Sequence, residues 1–166
     1  GDKYSEILNL TFQKEQTLRY GENPHQAGIL YSQPNAKNPI LNYEQLNGKE
    51  LSFNNINDLH GCLEVMREFK DSEEVVSVAI KHTNPCGVGI GANALEAYTK
   101  CYEADTVSIF GGIVGITSTV DVEAAKKLNE IFLEIVVAYD ITEEALDVLR
   151  QKKNLRVLKL AKIEES

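Results

Sequence analysis

Along residues 56–70 the apolar positions Ile56, Leu59, Leu63, Met66 and Phe69 recur every three or four residues, the spacing of one face of a helix. Asn55, just ahead of them, is expected to cap that helix. Val75 to Ile80 is an apolar, β-branched run that reads as a buried strand. The alternation then continues. Ala94, Leu95, Ala97, Tyr98 and Cys101 predict a helix over about 93–103, with a strand near 106–110. Asp121 to Phe132 reads as a helix with Ala124, Ala125 and Leu128 on one face, and Ile135 to Ala138 as a strand. Thr142 is placed to cap a helix through Gln151, and Leu155 to Leu160 closes the series as a strand. Glu143, Glu144 and Asp147 lie in or near the first turns of that last helix, where its dipole favours negative charge.

The first third follows another pattern, in which Gly21, Asn23-Pro24, Gln33-Pro34-Asn35, Asn38-Pro39 and Asn47-Gly48 punctuate short segments. Elsewhere, strands alternating with helices through connections of a few residues predict a layered α/β/α fold with a largely parallel sheet. Strand ends near 81, 111 and 139 are then expected at one edge, where such sheets bind ligands.

Length and composition narrow this picture. With 166 residues, 43% of them hydrophobic, the chain can bury one sizeable core, so a single domain is expected. A net charge of −8 argues against a nucleic-acid groove, which needs a basic face, though it allows a local basic pocket for a small anion. The longest apolar runs are far too short to cross a bilayer, and Gly-Asp-Lys-Tyr-Ser at the start lacks the apolar segment of a signal peptide. Cys62, Cys86 and Cys101 are odd in number and form no CxxC pair, which suits free thiols in a reducing cytosol. A cytoplasmic protein without a membrane or nucleic-acid partner is therefore expected.

Candidate chemistry concentrates where Lys81-His82-Thr83-Asn84-Pro85-Cys86-Gly87 follows a buried strand. A side chain at a strand's end is held firmly yet faces a crevice. His82 can exchange a proton near neutral pH. The Lys81 cation beside it can stabilise a developing oxyanion. A lone Lys-His pair is nonetheless more often a solvated lysine beside a packed histidine. The Gly87-Val88-Gly89-Ile90-Gly91 run reads as a loop opening toward the next helix. It has neither the GxGxxG spacing of a dinucleotide site nor the ending of a P-loop.

Arg19-Tyr20-Gly21-Glu22-Asn23-Pro24-His25-Gln26 is denser in functional groups than a loop needs. Arg19 offers a fork of donors suited to phosphate, and Tyr20 can hydrogen-bond or stack. Asn54-Asn55-Ile56-Asn57-Asp58 stands at a helix start, where capping is the default and a phosphate is also welcome. Phe110-Gly111-Gly112 offers backbone at a strand end. A zinc deaminase is not supported: the residue two after His82 is Asn84 rather than Glu, and the residue three after Cys86 is Gly89 rather than Cys. No metal is expected.

Four co-linear segments, 18–26, 52–58, 79–87 and 108–112, together resemble AICAR transformylase, the larger domain of the bifunctional enzyme that also carries IMP cyclohydrolase. The resemblance implies a zinc-free, cytidine-deaminase-like fold. It also implies that residues 1–166 are the first half of that transformylase domain, a single incomplete domain without the cyclohydrolase. By the same resemblance, Lys81 and His82 match the catalytic pair. His82 would take the proton of the AICAR amine as it attacks the formyl group of 10-formyltetrahydrofolate. Arg19, Tyr20, Asn55 and Gly111 match contacts to the AICAR nucleotide. Glu134 falls where the family carries an acidic contact, usually Asp. The family's site forms across a homodimer, so Arg19 and Tyr20 can serve a partner's site, and much of the folate pocket belongs to the second half. The fragment alone is then expected to lack turnover. The competing reading is a non-catalytic half-domain that only grips a nucleotide or a protein, which would have no need of Lys81-His82.

Overall fold

The computed structural model describes residues 43–160. Within them, β1 (Tyr43–Asn47) precedes α1 (Phe53–Glu68), and β2 (Val75–Lys81) turns directly into β3 (Asn84–Gly91). Next come α2 (Ala94–Ala104), β4 (Ile113–Val120), α3 (Val122–Leu128), β5 (Ile135–Ile141), α4 (Glu143–Leu149) and β6 (Arg156–Leu160). The six strands form one sheet in the order β1-β6-β5-β4-β2-β3.

The layered α/β architecture is as expected, and the sheet is mixed rather than largely parallel. Parallel pairing is confined to β4–β5 and β5–β6, each joined by a short helix that crosses back over the sheet. The pairings β1–β6, β2–β3 and β2–β4 are antiparallel. The reason for β3 is local: only His82 and Thr83 separate β2 from β3, and two residues can reverse a chain but cannot return it parallel. Gly87 to Gly91 is accordingly strand, not loop. Gly89 allows α2 to lie almost on this strand, because a Cβ there would come within 2.1 Å of the Ala97 carbonyl oxygen.

Side-chain alternation divides the core between two faces. Val76, Val78, Ile80, Ile135, Val137 and Leu158 meet Leu59, Cys62, Leu63 and Met66 of α1. Ala79, Val114, Val136, Ala138 and Val157 face Tyr98, Ala125, Leu128 and Leu149 of the other helices. This three-layer packing leaves one sheet edge open beside the start of α1.

Two elements differ from the pattern-based reading. The strand expected near 106–110 is a series of turns, with Val107 81% exposed, and the strand begins only at Ile113. Asp105 explains this: its Oδ1 accepts from the amides of Val107 (3.2 Å) and Ser108 (2.9 Å), diverting donors a sheet would need. Hydrogen bonds from Ser108 also hold the Asp105 carboxyl below its ordinary pKa. The helix expected to reach Phe132 stops at Leu128, where Asn129 ends it and donates to Val148 O of α4 at 2.7 Å.

Candidate functional site

Because β2 runs antiparallel to β4, its last residue, Lys81, arrives beside the first residues of β4, β5 and β6. That edge gathers the candidate residues 81, 111 and 134. Position 139 lies inside β5 toward the opposite end, because the end of β2 meets the start of β5, and Gly111 precedes its strand where the sequence pattern had it follow one.

His82 and Thr83 make the two-residue turn between β2 and β3, with φ of 51° and 63°. Both values lie in the left-handed region, as a tight hairpin requires, although such turns favour Asn and Gly. A β-branched residue at this φ is an outlier, so Thr83 is held there by its surroundings. Its Oγ1 donates to His82 O at 2.6 Å, and its amide donates to Asp58 Oδ1 at 2.9 Å. The turn leaves His82 exposed at the tip, outside the core.

Lys81 turns the other way. Its Nζ donates to Phe110 O at 2.7 Å, tying the strand end to the turn ahead of β4. Gly111 has φ of 78°, and the Lys81 Nζ lies 3.8 Å from where its Cβ would be. The Gly111 amide donates to Phe132 O at 2.8 Å, and the Glu134 amide to Gly112 O at 2.9 Å. Segments 110–112 and 132–134 thus form one rim, topped by an exposed edge-to-face pair, Phe110 and Phe132, with ring centroids 5.6 Å apart.

Asn55 is not the helix cap. Ser52 is, with Asn55 as its reciprocal partner: Asn55 Oδ1 accepts from the Ser52 amide at 3.0 Å, and Ser52 Oγ accepts from the Asn55 amide at 3.2 Å. This interlock fixes Asn55 on the first turn of α1, facing Lys81 and Glu134 across a cleft of about 660 Å³. Lys49, Asn57, Asp58, His82, Gly111 and Arg156 also line it. Five of the seven candidate residues therefore converge. Arg19 and Tyr20 lie outside the described residues.

Arg156 is the residue that sequence reasoning missed. Its side chain is only 5% exposed, and Nη1 donates to Glu134 Oε2 at 2.9 Å while Nε donates to Glu50 O at 3.0 Å. A charged residue between Leu155 and Val157, in an otherwise apolar strand, was the available signal. The lining sets Lys49, Lys81 and Arg156 against the carboxylates of Asp58 and Glu134, and with Arg156 paired to Glu134 the cations still outnumber the carboxylates, in a chain of net charge −8.

Among the described residues, no three His, Cys, Asp or Glu side chains come together to hold a metal ion, and no helix is long and apolar enough to cross a membrane. Cys86 stands close behind the cleft, its Sγ 3.5 Å from Ser108 O. Burial, and to a lesser extent Asp105, push its thiol pKa up against the opposing pull of Lys81.

The chain is 83% identical over 166 residues to the bifunctional purine biosynthesis protein PurH of Clostridioides difficile (strain 630), covering all of this chain and 32% of that protein. It is 56% identical over 167 aligned residues to PurH of Halalkalibacterium halodurans, again with 32% of that protein covered. The chain thus spans about a third of the length of these curated relatives. Matches to solved structures are partial. The dCMP deaminase of cyanophage S-TIM5 in apo form is 14% identical, with a TM-score of 0.47, over 58% of this chain and 93% of that one. Acinetobacter baumannii RibD, form 1, is 14% identical, with a TM-score of 0.43, over 50% of this chain and 28% of that one. The family model described as AICARFT/IMPCHase bienzyme matches residues 1–166. The chain belongs to the AICARFT/IMPCHase bienzyme family.

Proposed function

We propose that this chain carries the proton-accepting part of an AICAR formyltransferase site, working within a longer bifunctional protein that also has IMP cyclohydrolase activity. The observation that carries the reading is the convergence of Lys81, His82, Asn55, Gly111 and Glu134 on one cleft, with His82 exposed in the turn that follows β2.

The chemistry asks for this set. The aryl amine of AICAR is a weak nucleophile, so its proton must leave as nitrogen attacks the formyl carbon of 10-formyltetrahydrofolate. His82 takes that proton. Lys81, anchored on Phe110 O, places an ammonium beside the oxygen that becomes negative in the tetrahedral intermediate. Collapse breaks the bond from the formyl carbon to N10 of the folate, whose nitrogen gains a proton as it leaves. Gly111 lets the substrate approach backbone closely. Asn55 and Glu134, each locked by its own partner, orient it. Arg19 and Tyr20 complete the nucleotide contacts, from a second copy in a homodimer. On this reading residues 1–166 are the first half of the transformylase domain of a cytoplasmic enzyme, and most of the folate pocket lies beyond them. The chain alone is then inactive and binds AICAR weakly at most.

The test uses a chimera: the full-length C. difficile relative with its corresponding segment exchanged for this chain. His82→Ala in the chimera should lower formyl transfer by ~10²–10⁴-fold, the usual worth of a general base, while leaving cyclohydrolase activity intact. Formyl transfer at the unmutated rate would end the proposal.

A further inference from the structure

The turn that presents His82 is held in an unfavourable conformation by a residue outside it, and we infer that Asp58 is the positioning residue for His82. The inference rests on the proposed role of His82 and adds a residue that acts on it through the backbone. His82 and Thr83 both have positive φ, 51° and 63°, in a two-residue connection with no glycine or asparagine at either central position. Left to itself, a His-Thr pair would leave this region for ordinary extended or helical backbone, because the Thr83 Cβ crowds its own carbonyl there. That change would move the imidazole from its present place on the cleft lining.

One carboxylate oxygen opposes this. Asp58 Oδ1 accepts from the Thr83 amide at 2.9 Å, across a sequence separation of 25 residues. A carboxylate accepting a backbone amide makes a bond roughly twice as strong as a neutral one. Asp58 is itself well placed to be rigid. It stands in the second turn of α1, whose start is locked by Ser52 and Asn55 and whose Leu59, Cys62 and Leu63 are buried against the sheet. The chain of restraint therefore runs from the helix–sheet core through Asp58 to the Thr83 amide, and through the turn to His82. The bond the Thr83 hydroxyl makes to His82 O lies within the turn and cannot orient it relative to α1.

What the turn needs from Asp58 is an acceptor atom, and the variants separate this from charge and from general stability. In the chimera, Asp58→Ala should lower kcat for formyl transfer about tenfold or more, with a smaller change in KM for AICAR, as expected when a charge-assisted bond that holds a catalytic geometry is lost. Asp58→Asn keeps an oxygen at the same place and should stay within about threefold of the unmutated rate. Adding Thr83→Gly to Asp58→Ala should recover most of the loss, since glycine adopts positive φ without help. A purely structural role for Asp58 would not be rescued by Thr83→Gly. Hydrogen exchange of the Thr83 amide gives a readout independent of activity: it should be protected in the unmutated and Asp58→Asn proteins and fast in Asp58→Ala. Unchanged kcat and unchanged Thr83 protection in Asp58→Ala would overturn the inference, and so would failure of Thr83→Gly to rescue. If instead His82→Ala were fully active, the proposed function would fall while the exchange result still reported on the turn.

Discussion

Replacing Arg156 by Met removes a buried guanidinium and leaves its two partners behind. The Arg156 side chain is 5% exposed and spans the base of the cleft from Glu134 Oε2 at 2.9 Å to Glu50 O at 3.0 Å. Breaking a fully buried pair costs about 3–5 kcal/mol, because the remaining charge is stranded. Here the stranded carboxylate is Glu134, whose side chain is 34% exposed, so water recovers part of that loss. The charge-assisted bond to Glu50 O is lost as well, and methionine refills most of the volume. Together these give an expected destabilisation of about 2–3 kcal/mol. For a chain of this size that is a fall in melting temperature of about 4–12 °C. Urea denaturation of the unmutated and Arg156→Met chains measures it directly. Adding Glu134→Gln to Arg156→Met removes the stranded charge and should restore about 1 kcal/mol, a coupling that a double-mutant cycle isolates. A single-variant loss below about 0.5 kcal/mol, in the range of ordinary surface substitutions, would refute the claim that Arg156 anchors this edge of the sheet.

Other expectations are independent of the cleft. Gly89→Ala puts a Cβ 2.1 Å from Ala97 O and 2.4 Å from the Cys101 amide nitrogen, so α2 must lift from β3. Because both obstacles are backbone, the cost should reach about 1–3 kcal/mol or more by urea denaturation, and an unchanged midpoint would contradict the packing. The thiols offer a pH test. Burial raises the Cys62 thiol pKa and takes that of Cys101 from 9.0 to about 12, so both stay neutral and should resist alkylation at pH 8, while half-buried Cys86 reacts first. The folded chain holds these protons more tightly than the unfolded chain. Stability from them is therefore complete below pH 9 and declines as pH rises toward 12, by up to about 1.4 kcal/mol per pH unit for each thiol. Rapid native-state labelling of Cys62 or Cys101 would contradict their burial.

Periodicity was enough to read α1, β2, α2, β5, α4 and β6, because each carries its own apolar face or run. It failed where a few polar atoms decide the backbone. Val107 to Phe110 has strand-like composition, and nothing in its pattern shows that Asp105 captures its amides. Gly87 to Gly91 looked like a loop because the reason for its glycines, the close approach of α2, is a tertiary contact. The β2–β3 reversal was hidden by a turn built on His82 and Thr83 rather than on Asn-Gly, and with it the antiparallel pairing of β2 with both its neighbours. For the site, residue chemistry pointed to Lys81 and His82 and marked the segments of Asn55 and Gly111 as places for a ligand, while the roles of those two residues, and Glu134 altogether, came through resemblance. Asn57 and Asp58 read simply as part of a helix start. The partnerships of Asp58 with Thr83 and of Arg156 with Glu134 span 25 and 22 residues and exist only once α1 and β6 are in place.

The claim that His82 accepts the amine proton is tested most directly by chemical rescue. In the chimera, at saturating AICAR and 10-formyltetrahydrofolate, single-turnover formyl transfer by His82→Ala should be slowed by ~10²–10⁴-fold. Added imidazole should then restore it in proportion to concentration, with AICAR affinity unchanged. A His82→Ala enzyme as fast as the unmutated one, or one equally slow at every imidazole concentration because AICAR no longer binds, would contradict the account.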